Sequence, residues 1–399
     1  MSEHVAASSA RQPANSPFTP GYGKQPVVFG GHRDAIEEFA SMFKHYDFGE
    51  NQSILISGLR GAGKTSMLGV LQDLAHDAGW ITIRDDASKG LMDRVMSSTI
   101  PAIVNRLQTK EEIQVRSLSV LQVGVELETV DNTRTVKPLL RDDLLAISEA
   151  TGYRGILILV DEVHSGKVRL RELSRFALEV SHAIAEGANI VVAFAGVKID
   201  LDELLKQPHT TFLRRSRELD FRRLTPADTA SVLRETVETG GRLLSPDAEA
   251  RLVAISQGYP YLVQLAGDYA WRHNPSARTI TLADADAAHT QAIRAVNRRV
   301  ISRIYLDLSE KDQAFLRAMA HDDGRTKISS IVNRMGVSDQ YVQVYKQRLI
   351  DSGYVQGAGH GYVEFSLPYL RDYVRSTTDI DRSGPDHADA WRDYPPPAP

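Results

Sequence analysis

The chain has no cysteine among its 399 residues. That excludes a disulfide framework and thiolate metal sites. No stretch reaches about 18 consecutive apolar residues, so no segment reads as a membrane-spanning helix. A strong charge bias is missing too. The net charge is −4, so the chain as a whole is no polybasic nucleic-acid binder, and any such site must be local. The 12 histidines fall into no metal-ligand spacing, and no nuclease, protease, kinase, transferase or redox signature appears. The N-terminal stretch lacks the apolar core of a signal peptide, which makes the cytoplasm the expected location. What is there is ordinary: 42% hydrophobic and 25% charged residues, as in a soluble globular protein of two or three domains.

Nine of the 17 prolines lie in the first 26 and last 15 residues, so residues 1–25 and the acidic, proline-rich 379–399 read as unpacked tails. Between them, short apolar runs alternate with helical periodicity. Strands are expected at Ser53–Ser57, Trp80–Arg84, Ile156–Val160 and Asn189–Ala195. Helices are expected at Thr65–Ala78, Leu91–Leu107 and Leu170–Glu186. This alternation predicts an α/β fold, a parallel sheet with helices on both faces. Ile113–Val130 alternates in a different way and suggests a hairpin or an inserted strand pair. From Pro226 to Ser302 the pattern is helical, including Asp247–Ser256, Tyr261–His273 and Ala283–Ile304.

The segment ILISGLRGAGKTSML, Ile54–Leu68, carries the strongest chemical signal. Gly58, Leu59, Arg60, Gly61, Ala62, Gly63, Lys64 and Thr65 fit G-x-x-x-x-G-K-[ST] in full. By chance those four fixed positions arise in roughly one such chain in a hundred. Here the loop also follows a strand and opens a helix. Glycine at 58 and 63 permits backbone conformations that a side chain forbids. Successive N–H groups, through Ser66, then converge on phosphate at the positive end of the helix. Lys64 supplies charge to the β/γ-phosphates of ATP, and the Thr65 hydroxyl is a ligand for Mg²⁺.

A second signal is ILILVDEVH, Ile156–His164, a wholly apolar strand ending in Asp161-Glu162. Carboxylates at such a strand end sit beside the phosphate loop in doubly wound sheets. Asp161 is the expected Mg²⁺ partner and Glu162 the expected group that polarises the attacking water.

Together these motifs resemble the AAA+ and related STAND P-loop ATPases. Upstream, Phe29, Gly31, Arg33, Ile36 and Phe39 resemble the leading segment of initiator-type, origin-recognition-like AAA domains. The resemblance implies that Val27–Gly31, Val28 included, lines the adenine pocket. It places a polar sensor near Gly196, Lys198 or Asp200. It also implies an arginine finger in Thr210–Asp228, with Arg214, Arg215 and Arg217 as candidates beside the reading of a basic, solvated helix end. Gly258 and Pro260 match the G-x-P that opens the lid helix of STAND-like ATPases. The implied organisation is a P-loop core at 26–225, a helical lid at 226–304 and a winged helix-turn-helix at 305–378.

That last module rests on its own pattern. Ser309 and Asp312 form a helix start, Gly336 a turn, Ser338 a second cap, and the glycines around His360 the tip of a strand pair. The third helix would present Gln340, Gln343, Lys346 and Arg348 to double-stranded DNA, with His360 on the wing. From Gly324 to Arg375, however, there are seven Lys/Arg against four Asp/Glu, a thin excess for DNA. Two outputs stay open: an ATP-hydrolysing switch that regulates DNA binding, and a STAND-like signalling switch that contacts protein or self-associates.

Overall fold

The computed structural model describes residues 15–21, 23–49, 51–109, 139–150 and 155–378. They divide into two compact units. The first unit is His32–Phe221 with Asp351–Gly353. The second takes the described residues up to Gly31, Arg222–Ile350 and those from Tyr354 onward. The expected strand pair at Ile113–Val130 and the expected tail at 379–399 lie outside the described residues.

The first unit is built on five parallel strands: β1 Ser53–Gly58, β2 Ile81–Asp86, β3 Ile156–Val163, β4 Ile190–Gly196 and β5 Arg217–Phe221. Their spatial order is β2-β3-β4-β1-β5. Every residue of β4 is buried, and so is Ile156–Val160 of β3, which explains why these strands read as unbroken apolar runs. The helix Lys64–Asp77 buries Met67, Leu68, Leu71 and Ala75. The helix Lys167–Ala185 buries Leu170, Leu173, Phe176, Ala177 and Val180. Because all strands run the same way, the loops after β1, β3 and β4 open at one end of the sheet. Ligands bind at that end in open α/β sheets.

The second unit is mostly helical. Thr225 accepts from Asp228 N at the start of Pro226–Thr239, and Ser245 accepts from Ala248 N at the start of Pro246–Ser256. Thr281 and Asp284 form a capping box at Leu282–Val296. The single helix expected over Ala283–Ile304 runs from Leu282 and continues through a π-turn at Asn297–Ile301 into Ser302–Asp307. Next come helices Glu310–Ala320, Ile328–Met335 and Asp339–Asp351. Strands β8 Thr326–Lys327, β9 Val355–Gly357 and β10 Tyr362–Phe365 pair antiparallel in the order β8-β10-β9. A short parallel pair, β6 Leu243–Leu244 with β7 Thr279–Ile280, lies between the earlier helices.

The expected boundaries meet the structure at two places. Residues 226–304 and 305–378, expected as a helical lid and a winged helix-turn-helix, lie mostly within the same compact unit. The Tyr369 hydroxyl donates to Ile255 O at 2.8 Å, and the Tyr305 and Tyr373 rings meet edge to face at 5.7 Å. The second place is the N-terminal tail, which is partly packed. Phe18 is 3% exposed, and Thr19 N–H donates to Gln264 Oε1 at 2.9 Å. A Cβ at Gly267 would collide with the Phe18 ring, so the aromatic is seated where the helix Pro260–His273 has no side chain. Burying that one ring outweighs the polar, proline-rich character of its neighbours.

Candidate functional site

The loop after β1 closes on its own lysine. Lys64 Nζ donates to Gly58 O and Leu59 O, each at 2.8 Å. Gly58 has φ +153°, and a Cβ there would come within 2.7 Å of Phe221 Cβ and of Phe221 O. Gly63 caps the helix at φ +103°. Any larger residue at these two positions would strain the loop or displace β5. Burial pulls the Lys64 ammonium down to about 8, the charge of Asp161 opposes this, and Arg60 adds to it. Leu59 packs against Gly353, whose added Cβ would lie 2.7 Å from Leu59 Cδ2.

At the end of β3 the strand is irregular. Its register with β4 shifts between Val160 and Val163. Glu162 sits in that irregularity at φ +53°, a left-handed conformation that costs a non-glycine residue about 1 kcal/mol or more. Its N–H donates to Asp161 Oδ1 at 2.8 Å. The other oxygen, Asp161 Oδ2, accepts from the Thr65 hydroxyl at 2.7 Å. Two loops 96 residues apart are thus joined by one hydroxyl and one carboxylate. Both donors are hard oxygens of the kind Mg²⁺ takes alongside phosphate, so the pair fits that ion. Among the described residues no cluster of three or more His, Cys, Asp or Glu could hold a metal alone.

The polar group near β4 is Asp200, on the first turn of the helix Lys198–Leu205. It is 8% exposed and accepts from Ser165 N–H at 2.9 Å. His164 Nδ1 lies 3.7 Å from its other oxygen. Burial alone would raise the carboxyl, but hydrogen bonds from His164 and Ser165 outweigh it and hold Asp200 below the usual carboxylate range.

The arginine-finger candidates separate. The Arg214 guanidinium donates to Leu205 O from Nε at 3.3 Å and Nη2 at 3.2 Å, which ends the preceding helix. Arg217 pairs with Glu38 at 3.3 Å. Arg215 is exposed, with no bond described. Val28 and Pro260 both fall in the second unit. Pro260 opens the helix Pro260–His273, and the preceding turn is tied to Leu224, whose N–H donates to Gly258 O at 2.7 Å.

Sequence reading missed a ring stack beside the loop. His32, at φ +56° before the first helix, stacks on Phe221 at 4.3 Å. Burial lowers its imidazole, with Asp220 opposing. The Phe221 ring reaches within 3.7 Å of a Cβ built on Gly63. No local motif links residues this far apart in sequence, and only β5 lying beside β1 brings them together.

In the C-terminal segment, Gln340 and His360 are exposed. Gln343 leans on Asp339 at 3.4 Å. Arg348 closes on Asp312, a fully buried carboxylate, at 3.2 Å. Arg334 pairs with Asp322 at 2.6 Å and Arg375 with Asp323 at 2.8 Å. Arg325 lies over the Tyr362 ring at 4.6 Å, and Arg371 bonds Gly324 O. Of the seven cations between Gly324 and Arg375, Lys327 and Lys346 are the two with no described bond.

With this geometry established, comparison with known proteins decides the fold. The Walker-type ATPase PABY2304 of Pyrococcus abyssi matches with a TM-score of 0.57 at 14% identity, over 88% of this chain and 99% of that one. The ORC2 protein of Aeropyrum pernix, in its ADPNP-ADP complexes, matches with a TM-score of 0.57 at 13% identity, over 90% of this chain and 96% of that one. The fold is that of a P-loop ATPase. The resemblance drawn from the phosphate loop and Asp161-Glu162 therefore holds for the fold across nearly the whole chain. Residues 298–374 separately match a domain family described as Domain of unknown function (DUF8462). No curated protein matches the chain. No helix among the described residues is long and apolar enough to cross a membrane.

Proposed function

We propose that the protein binds and hydrolyses Mg²⁺-ATP at the ends of β1 and β3, and that this turnover switches what its C-terminal segment contacts. The observation that carries the reading is the Thr65–Asp161 hydrogen bond, with Glu162 turned out beside it at positive φ. It supports a nucleotide site because the glycine loop after β1 is joined by one hydroxyl and one carboxylate to the acidic end of β3, where Glu162 is exposed. The ADPNP-ADP complexes of the A. pernix ORC2 protein, which shares this fold, add support for a nucleotide here.

In this reading the loop N–H groups receive the β-phosphate. Lys64 exchanges its two carbonyl partners for phosphate oxygens, which restores a full ammonium charge. Thr65 and Asp161 would hold Mg²⁺, which would supply charge neutralisation at the phosphates. Glu162 orients and polarises the water that attacks the γ-phosphorus. Arg215 is the remaining candidate for an arginine finger. The test compares wild type with Glu162→Gln. The variant should bind ATP with unchanged affinity and lose turnover by about 100-fold or more. Full turnover in the variant would end the assignment.

For the output, sequence reading put a DNA-binding winged helix first. The second reading, a protein partner, now has a specific observation in its favour. Most cations of the segment are engaged internally, while Val344 stands 62% exposed beside the Tyr341–Tyr345 ring pair on the helix Asp339–Asp351. An exposed valine between two half-buried tyrosines suits protein contact better than phosphate. Titration with random duplex DNA at low and high salt separates the two. Binding that collapses with salt supports DNA, and none at low salt supports a protein.

A further inference from the structure

We infer that Asp200 is a positioning residue that clamps the backbone just after Glu162 and so fixes where the water-activating carboxylate points. The inference rests on the ATP-hydrolysis reading above and deepens it. It concerns a residue that acts through the backbone of a neighbouring loop, with no contact to phosphate required.

Glu162 is held in an unfavourable backbone conformation where β3 loses register with β4. Such a conformation persists only when its surroundings over-determine it. Two bonds do this. On the near side, Asp161 Oδ1 accepts from Glu162 N–H at 2.8 Å. On the far side, three residues along, Asp200 Oδ1 accepts from Ser165 N–H at 2.9 Å. Asp200 itself is anchored: it is 8% exposed, on a helix whose Leu201 and Leu204 are buried. His164, one residue before the clamped N–H, brings its Nδ1 to 3.7 Å from the second carboxylate oxygen. The stretch from Asp161 to Ser165 is therefore pinned at both ends, to the Thr65 hydroxyl through Asp161 and to the end of β4 through Asp200.

Asp200 also reaches the phosphate loop electrostatically, since its charge helps keep Lys64 protonated against burial. A surface carboxylate solvating a helix end would be exposed. This one is buried, aimed at a main-chain donor of a different loop, and held ionised by its partners. Loosening the clamp frees Glu162 to relax toward an ordinary conformation. A misplacement of about 1 Å at a catalytic group costs up to about 100-fold in rate.

The test uses the full chain and three readouts: folding by thermal melt, ATP affinity, and turnover at saturating ATP. Asp200→Ala removes the acceptor and should lower kcat at least about tenfold with ATP affinity within about threefold of wild type. Asp200→Asn keeps a carbonyl oxygen for the Ser165 N–H, so it should restore kcat to within about threefold of wild type. A merely structural role would move the melt and the affinity together and would show no such split. Should the alanine variant fail to fold, Asp200→Ser serves as the truncation, because its hydroxyl is too short to span to Ser165. Unchanged kcat in the truncation overturns the clamp, as does an asparagine variant as impaired as the truncation. Glu162→Gln run alongside separates the two ideas. If it hydrolyses ATP at the wild-type rate, the ATPase reading falls and the clamp with it. If it is dead while the truncation is fully active, the clamp alone falls.

Discussion

At the ends of β1 and β3, Lys64, Thr65, Asp161 and Glu162 converge with few partners beyond one another and the loop backbone. In the C-terminal segment, Arg334, Arg348 and Arg375 each close on a carboxylate of their own unit. Both regions are rich in charge, yet the charge is deployed differently. The first holds a buried ammonium depressed to about 8 and a glutamate at positive φ, features that suit the nucleotide site proposed above. The second uses its charges to hold its helices in place. Counting basic residues treats the two alike, although only the second spends most of its cations on carboxylates of its own unit.

The contrast can be tested by substitution in each region. The largest effect belongs to Lys64→Ala, expected to weaken ATP binding or turnover by about 100-fold while barely altering the melt. A strong loss of stability would mean that Lys64 is structural, like the C-terminal arginines. Gly58→Ala comes next. Its Cβ would press on Phe221 at 2.7 Å, and a loss of about 2–3 kcal/mol should appear in denaturant unfolding. Arg348→Ala leaves Asp312 buried without its cation, costing about 1–3 kcal/mol. If stability is unchanged and DNA affinity falls instead, Arg348 is a reader after all.

Two pH effects are smaller. Phosphate should raise the Lys64 ammonium above its free value of about 8. Free and bound states then differ in protonation above that value, so ATP affinity should weaken as pH rises past 8, by at most about tenfold per unit. Calorimetric titration between pH 7 and 9 reads this, and a flat profile removes the burial argument. Asp143 is 4% exposed, and burial, with Asp142 adding to it, pushes its carboxyl up to about 6. Its folded value lies above its unfolded one, so it favours the fold below about pH 4, and that contribution is lost as pH rises through 6. Asp143→Asn should therefore raise the melting temperature at pH 7.5 by about 2 °C and leave it nearly unchanged at pH 4.

The glycine loop between β1 and the helix Lys64–Asp77 was legible because its requirements are local. Glycines, lysine and threonine at fixed spacing between a strand and a helix act within a few residues of one another. The parallel sheet was legible for a related reason, since strands buried on both faces must be apolar throughout. The helix start at Ser309 is similarly local, since its hydroxyl accepts from Asp312 N–H three residues on. Harder to read were contacts whose partners lie far apart in the chain. Asp200 stood among the possible polar sensors, but nothing in the sequence pairs it with Ser165, 35 residues earlier. Phe18 read as part of a tail because its seat at Gly267 lies on a distant helix.

The sequence by itself therefore determined the chemistry on offer, a phosphate loop with a paired acidic strand end in an α/β sheet. Backbone geometry at those positions leaves few other residue choices. Only the tertiary structure decided which charges are committed. Arg214 and Arg348 look as available in the sequence as Arg215 and Lys346, yet packing brings Leu205 O to the first and Asp312 to the second. A charge's availability depends on what the fold places within about 4 Å of it, and that distance is set by helix and strand packing rather than by neighbours in the chain.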